Sequence, residues 1–207
     1  MTDNYSKIVQ DNLDRLYANL PEDLAQNLPC EQEGDRFVFE AFGEKCFIEP
    51  EGITFGEEEH SSVLGILISL YALYARPDKC IPAPFKAFKE FPDSMPYVGA
   101  FATHTEQLLV SNVSNIRETI LPIVETLKGE EASDGTGGDF SFIVYPLPKI
   151  ALCYIFYEAD EEFPSSVTCL YAVEDRRPRV YPWMNEPGGG IMSIWNILKQ
   201  RTVSTIF

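Results

Sequence analysis

Apolar residues at Tyr5, Ile8, Val9, Leu13, Leu16, Tyr17 and Leu20 recur at helical spacing. The spacing predicts a helix over 5–20 that Pro21 stops, and Glu22–Leu28 allows a short second one. The period then changes. Over Arg36–Pro50, Phe37, Phe39 and Ala41 alternate with Val38, Glu40 and Phe42, which predicts a hairpin turning at Gly43-Glu44. Ile53–Phe55 follows as a third strand after a turn at Glu51-Gly52. Glu57–Ala75 reads as an acidic first turn leading into a buried helix, ended by Arg76-Pro77. Pro82, Pro84, Pro92 and Pro96 then forbid long helices and predict an extended, irregular stretch.

Gly99–Leu127 is helical again, as two helices meeting near Ser111, with Pro122 at a kink or in a first turn. A glycine-rich loop over 130–139 precedes an alternating strand, Phe140–Tyr145, which has Phe140, Phe142 and Val144 on one face. Pro146-Leu147-Pro148 makes a turn. Ile150–Tyr157 is almost continuously apolar, as a central strand covered on both faces is. Ser166–Val173 is a further strand, Arg176–Gly190 a loop, and Ile191–Thr202 a C-terminal helix. Two strand groups separated by helices predict an α+β fold, an antiparallel β-sheet packed against helices. No internal repeat is present.

The length of 207 residues fits a single domain, 1–207. Its hydrophobic content of 45% suffices for a core. Sixteen Lys and Arg face 32 Asp and Glu, a net charge of -16. That balance argues against a nucleic-acid binder and against attachment to anionic lipid, so neither nucleic acid nor membrane is an expected partner. The longest apolar stretch, Val63–Ala75, is 13 residues long, against about 20 needed to span a bilayer. The N-terminus has no apolar signal-like run, and Cys30, Cys46, Cys80, Cys153 and Cys169 show no C-x-x-C spacing. Reduced cysteines in a cytoplasmic protein are the simplest reading, with Cys153 and Cys169 as core residues.

The segment Tyr145–Val167, with Glu158, Asp160, Glu161, Glu162, Phe163 and Pro164 at its centre, resembles the prokaryotic DUF3786 family, a domain of unknown function. That family shows a strand ending in an aromatic residue and a glutamate, followed by an acidic D-E-E-F-P block. Phe88–Phe101 is similar to its F-R-E-L-P-G-x-x-x-Y-x-x-A-F pattern, and the opening helix, hairpin and apolar helix are similar as well. The resemblance extends to about Val173. Beyond it, the loop and helix over 174–207 diverge, and the family strand's closing aspartate is replaced by Tyr171-Ala172-Val173. The resemblance implies a bacterial or archaeal protein and a shared fold. It implies no reaction and no cofactor, and the cysteine spacing of an iron–sulfur domain is missing.

Several places carry candidate chemistry. Glu158, Asp160, Glu161 and Glu162 are carboxylates within five residues. Their repulsion is relieved by solvation, by cations, or by a hard metal ion. The plain reading is a solvated turn with Phe163-Pro164 tucked into the core. Glu158, at the end of a buried strand, is the candidate catalytic residue, paired with Lys86, Lys89 or Arg117. With Asp160, Tyr97, Lys89 and His104 it forms a candidate ligand-binding set. Arg176, Arg177, Arg179 and Gly189, in a Gly188-Gly189-Gly190 run before a helix, form a candidate anion site, or a loop bridging to the chain's own acidic surface. No nucleotide-binding glycine motif is matched.

His60 and His104 are the two histidines, and neither sits in an H-E-x-x-H or beside a G-x-S-x-G elbow. The loop Asp134–Asp139 is a flexible connection or a lid. The aromatic surplus points to a pocket or interface, above all over 81–98. Two functional classes follow. The first is non-catalytic binding of a small ligand or protein partner. The alternative is an enzyme using the Glu158 region as general base or metal ligand. A homo-oligomer with a structural interface stays open.

Overall fold

A helix with one apolar stripe must bury that stripe against another element, and one apolar all round must be enclosed; residues 4–73 supply one of each and a sheet. The computed structural model describes residues 4–56, 58–59, 63–77, 80–91, 94–132 and 136–174. The chain divides into two compact units. The first comprises residues 1–79 with 147–149, and the second residues 80–146 with 150–207.

In the first unit, α1 (Asn4–Ala18) and α2 (Leu24–Asn27) precede five strands. These are β1 (Glu31–Glu33), β2 (Arg36–Ala41), β3 (Glu44–Glu49), β4 (Gly52–Phe55) and β5 (Glu58–Glu59), followed by α3 (Val63–Leu73). The strands form an antiparallel meander in the order β1-β2-β3-β4-β5. The β2–β3 turn is Phe42-Gly43, one residue earlier than the alternation suggests. Both residues have positive φ, 51° and 83°, the pair a two-residue hairpin turn requires. Burial of the Phe42 ring, 0% exposed, holds this unusual residue there. Glu58-Glu59 pairs with Thr54-Phe55 and so is strand, not the acidic first turn of α3. Helices α1 and α3 pack on each other and on β4. Val9, Leu13 and Leu16 of α1, Leu67, Ile68 and Tyr71 of α3, and Phe37, Phe39, Ile48 and Ile53 of the sheet are all buried, and Phe39 lies 6.0 Å from Tyr71 between ring centres. One polar pair is buried there: Asn12 Nδ2 donates to Ser69 Oγ at 3.0 Å, and Ser69 Oγ donates to the Ile66 carbonyl at 2.9 Å.

In the second unit, β6 (Cys80–Ala87) leads through a short 3₁₀ turn at 88–90 and another at 95–97 into α4 (Val98–Phe101). A π-helical turn, Ala102–Glu106, follows, then α5 (Gln107–Val110), α6 (Val113–Glu118) and α7 (Ile120–Thr126). The expected break near Ser111 is present between α5 and α6. Pro122 is in the first turn of α7, where a missing N–H costs nothing. Lys128, with φ 52°, ends α7. The Gly129 N–H donates to the Val124 carbonyl at 2.7 Å and the Lys128 N–H to the Glu125 carbonyl at 3.2 Å, a paired closing motif.

The remaining strands are β7 (Glu130–Glu131), β8 (Phe140–Leu147), β9 (Ile150–Tyr157) and β10 (Ser166–Glu174), in the sheet order β6-β10-β9-β8-β7. The long apolar strand is thus the middle one of five. Ile150–Phe156 are all buried, as the unbroken apolar run demands. The turn into it is Pro148-Lys149, because Pro146 and Leu147 stay in β8. The proline-dense stretch is more regular than its composition suggests. Its first part, with Pro82 and Pro84, forms an edge strand, where a missing N–H is tolerated, and the register on β10 shifts between Tyr171 and Val173.

The architecture is α+β with two antiparallel sheets. No helix among the described residues is long and apolar enough to cross a membrane.

Candidate functional site

The middle strand ends at Tyr157, and the acidic block begins there. Three contacts fix this end. The Asp139 N–H donates to the Phe156 carbonyl at 2.8 Å, and Asp139 Oδ2 accepts the Glu158 N–H at 2.7 Å. The loop that delivers Asp139 lies so close to β9 that a Cβ on Gly138 would stand 2.5 Å from Ile155 Cγ2 and 2.6 Å from the Phe156 carbonyl oxygen. Gly138 also has φ +74°, so the position accepts glycine for two independent reasons. The described part of the expected flexible loop is therefore pinned.

The third contact comes from α6. Arg117 Nη1 bonds to Glu158 Oε2, so Arg117 is the partner among the three foreseen cations. Its guanidinium also lies 5.6 Å from the centre of the Phe140 ring, which stacks on Phe156 at 4.6 Å and 3°.

After Glu158 the chain turns on Asp160. Asp160 Oδ1 accepts the N–H of Glu162 at 2.8 Å and of Phe163 at 2.7 Å, while the Asp160 N–H donates to the Phe163 carbonyl at 3.0 Å. This is an aspartate-built turn. The Phe163 N–H, then that of Glu162, hold the Asp160 carboxyl below its ordinary pKa. Phe163 does not enter the core, as the plain reading of the block expects, but is 67% exposed. Its N–H and C=O are both bonded to Asp160, so the residue belongs to the turn beyond the end of β9. Tyr157, at the last position of β9, is 42% exposed. The end of the strand is therefore an ordered turn presenting Phe163 between exposed Glu161, Glu162 and Pro164.

The other foreseen residues scatter. Lys89 is exposed on the first 3₁₀ turn, Tyr97 is half-buried on the second, and His104 is exposed on the π-helical turn. Among the described contacts none of them meets Glu158 or Asp160. Phe88 and Phe91 are each 4% exposed and pack with Phe101 around Tyr171, so these rings of the 81–98 stretch form core and not an aromatic surface. Arg176, Arg177, Arg179, Gly189, His60 and the C-terminal helix lie outside the described residues.

Two features have no clear sign in the sequence. The first is a buried polar cluster in the second unit. Cys169 on β10 stands opposite Tyr154 on β9, and its thiol contacts the hydroxyls of Tyr154 and Tyr171. Burial raises the pKa of all three groups. Beside them Glu106 Oε1 accepts the Cys169 N–H at 3.0 Å. Glu106 is raised above its ordinary value, burial outweighing that hydrogen bond. The second is a groove of about 490 Å³ in the first unit, lined by Ala25, Cys30, Glu31, Val38, Glu40 and Lys45 among others. Its thiol, Cys30, is pushed up to about 11 by burial and so stays protonated at neutral pH. No group of three or more His, Cys, Asp or Glu side chains among the described residues is placed to hold a metal ion.

A family model described as a domain of unknown function, DUF3786, matches residues 21–174. No curated protein and no solved structure matches the chain.

Proposed function

Since this chain belongs to the DUF3786 family of domains of unknown function, and its acidic block is a rigid exposed turn, we propose that it is a non-catalytic, cytoplasmic binding module. The turn 158–164 docks a basic segment of a protein partner that carries an apolar anchor. The family match covers parts of both compact units, which supports treating them as one DUF3786-like domain.

The observation that carries this reading is Phe163, 67% exposed on a turn whose backbone Asp160 has already ordered. Aromatic residues dominate interface hot spots, and a pre-ordered loop avoids the ordering cost of binding. Glu161 and Glu162 beside it, in a chain of net charge -16, favour a basic partner and speed its encounter. The alternative, Glu158 as general base or metal ligand, is less favoured. Glu158 is partly exposed and paired with Arg117, and no group of three or more metal-ligating side chains surrounds it among the described residues.

Selection of a randomised 12-residue peptide library on the immobilised chain tests the reading. Enriched peptides should combine several Arg or Lys with one large apolar residue. They should bind Phe163→Ser and the Glu161→Lys/Glu162→Lys double variant about tenfold or more weakly, as loss of a hot spot does. Absence of such enrichment, or equal binding to these variants, overturns it.

A further inference from the structure

Strand β10 is longer than the neighbour that covers it. β6 pairs with Leu170 and Tyr171 through Ala87 and Lys86 and goes no further, so Ser166–Cys169 have no β6 partner. On the other side these same residues pair with β9. At Cys169, where the missing strand would supply a carbonyl, a side-chain carboxylate stands in: Glu106 Oε1 accepts the N–H at 3.0 Å.

Glu106 reaches this place from the last position of the π-helical turn Ala102–Glu106. The wider turn is a local departure from α-helix that often marks a functional position. Thr105, 1% exposed, bonds back to the Phe101 carbonyl within the same turn. The helical segment 98–110 packs on β10, and two of its contacts are specific. One is apolar, Phe101 against Tyr171, with ring centres 5.7 Å apart. The other is the Glu106 carboxylate.

We propose that Glu106 is a proton-operated latch: protonated, it keeps the segment 98–110 seated on β10, and ionised, it favours release of that segment. The groups facing it are the Cys169 thiol and Tyr171 hydroxyl on β10 and the Tyr154 hydroxyl on β9, all neutral because burial raises them. Helices α4 and α5 carry no titratable side chain, and His104 on the same turn is exposed. Among the described ion pairs none includes Glu106, so its charge is not offset by a neighbouring cation.

The direction follows from linkage. Seated, the carboxyl has a raised pKa, with burial the first cause; released into water, it has the ordinary one. The seated form therefore binds the proton more tightly. Opening becomes easier as pH rises from the ordinary carboxylate value to the raised one, by up to about tenfold per pH unit within that window. Above the window the opening constant is level.

The experiment is amide hydrogen exchange of Cys169 and of residues 103–110 in the full chain, from pH 4 to 8, corrected for intrinsic rates. It is paired with a ¹³C titration of the Glu106 carboxyl. Wild type should open more readily with rising pH and then level off, with the carboxyl midpoint above the ordinary value. Glu106→Gln keeps an acceptor oxygen and should remove the pH dependence. A carboxyl midpoint at or below the ordinary value overturns the latch, as does opening with the same pH profile in both proteins. If Glu106→Gln does not fold, the wild-type titration and exchange profile decide alone.

Discussion

Replacing Gly138 by alanine probes how tightly the middle strand's end is built. The new Cβ would stand 2.5 Å from Ile155 Cγ2 and 2.6 Å from the Phe156 carbonyl oxygen. The carbonyl cannot step aside without disturbing β9. Holding a residue with a side chain in the left-handed region, φ +74°, costs about 1–2 kcal/mol. Forcing a methyl group into a packed site costs about 1–3 kcal/mol more. The sum is a loss of roughly 2–5 kcal/mol. Urea unfolding followed by far-ultraviolet circular dichroism measures it. With a slope of about 2 kcal/mol/M, the midpoint should fall by roughly 1–2.5 M. The control is Gly99→Ala in α4, where the added Cβ meets nothing within 4 Å. That change should stabilise by about 0.5–1 kcal/mol, the usual gain from removing a helical glycine. A Gly138→Ala protein within about 0.5 kcal/mol of wild type, the range of ordinary surface substitutions, would show that the loop does not press on β9.

Other consequences can be checked separately. A double-mutant cycle on Arg117→Ala and Glu158→Gln should give a coupling of only about 0.2–1 kcal/mol in urea unfolding, because both side chains are more than a third exposed. The Asp160 carboxyl should titrate by NMR below the ordinary aspartate value. A lowered folded pKa contributes stability above the unfolded value and loses it as pH falls through the folded one, so the turn should loosen only in strong acid. Asn12→Ala should cost about 0.5–1.5 kcal/mol for the lost hydrogen bond, because the Ser69 hydroxyl keeps its own bond to the Ile66 carbonyl, and Asn12→Leu with Ser69→Ala should cost less than the single change, read by the same unfolding assay.

What the sequence discloses divides along a physical line. Ile150–Tyr157 announces itself because a strand covered on both faces has no position for a polar residue. The hairpin strands 36–41 and 44–49 are legible because one buried face imposes alternation, but the position of their turn depends on Phe42, whose burial is a tertiary fact. Arg117 could be named as a partner for Glu158 because cations are scarce in the chain, yet only the seating of α6 chooses it over Lys86 and Lys89.

Phe163 deceives for a related reason. A phenylalanine in an acidic block looks like an anchor for the core, and no pattern shows that Asp160 binds the N–H groups of Glu162 and Phe163 in a turn that leaves the ring exposed. Glu106 is hidden more deeply. Its role depends on where β6 stops, and β6 itself is written in prolines that read as loop. Lys89, Tyr97 and His104 share a sequence neighbourhood with features that matter, but they stand on three separate turns, 88–90, 95–97 and 102–106, and extended Phe91 parts the first from the others.

The most direct test of the binding reading is ¹⁵N relaxation at Glu162 and Phe163, since everything rests on the turn being ordered before any partner arrives. The account predicts order parameters like those of β9, about 0.85, with the Phe163 ring open to water. Values below about 0.6 at these two amides would mean that Asp160 does not hold the turn, and the proposed docking element would not exist.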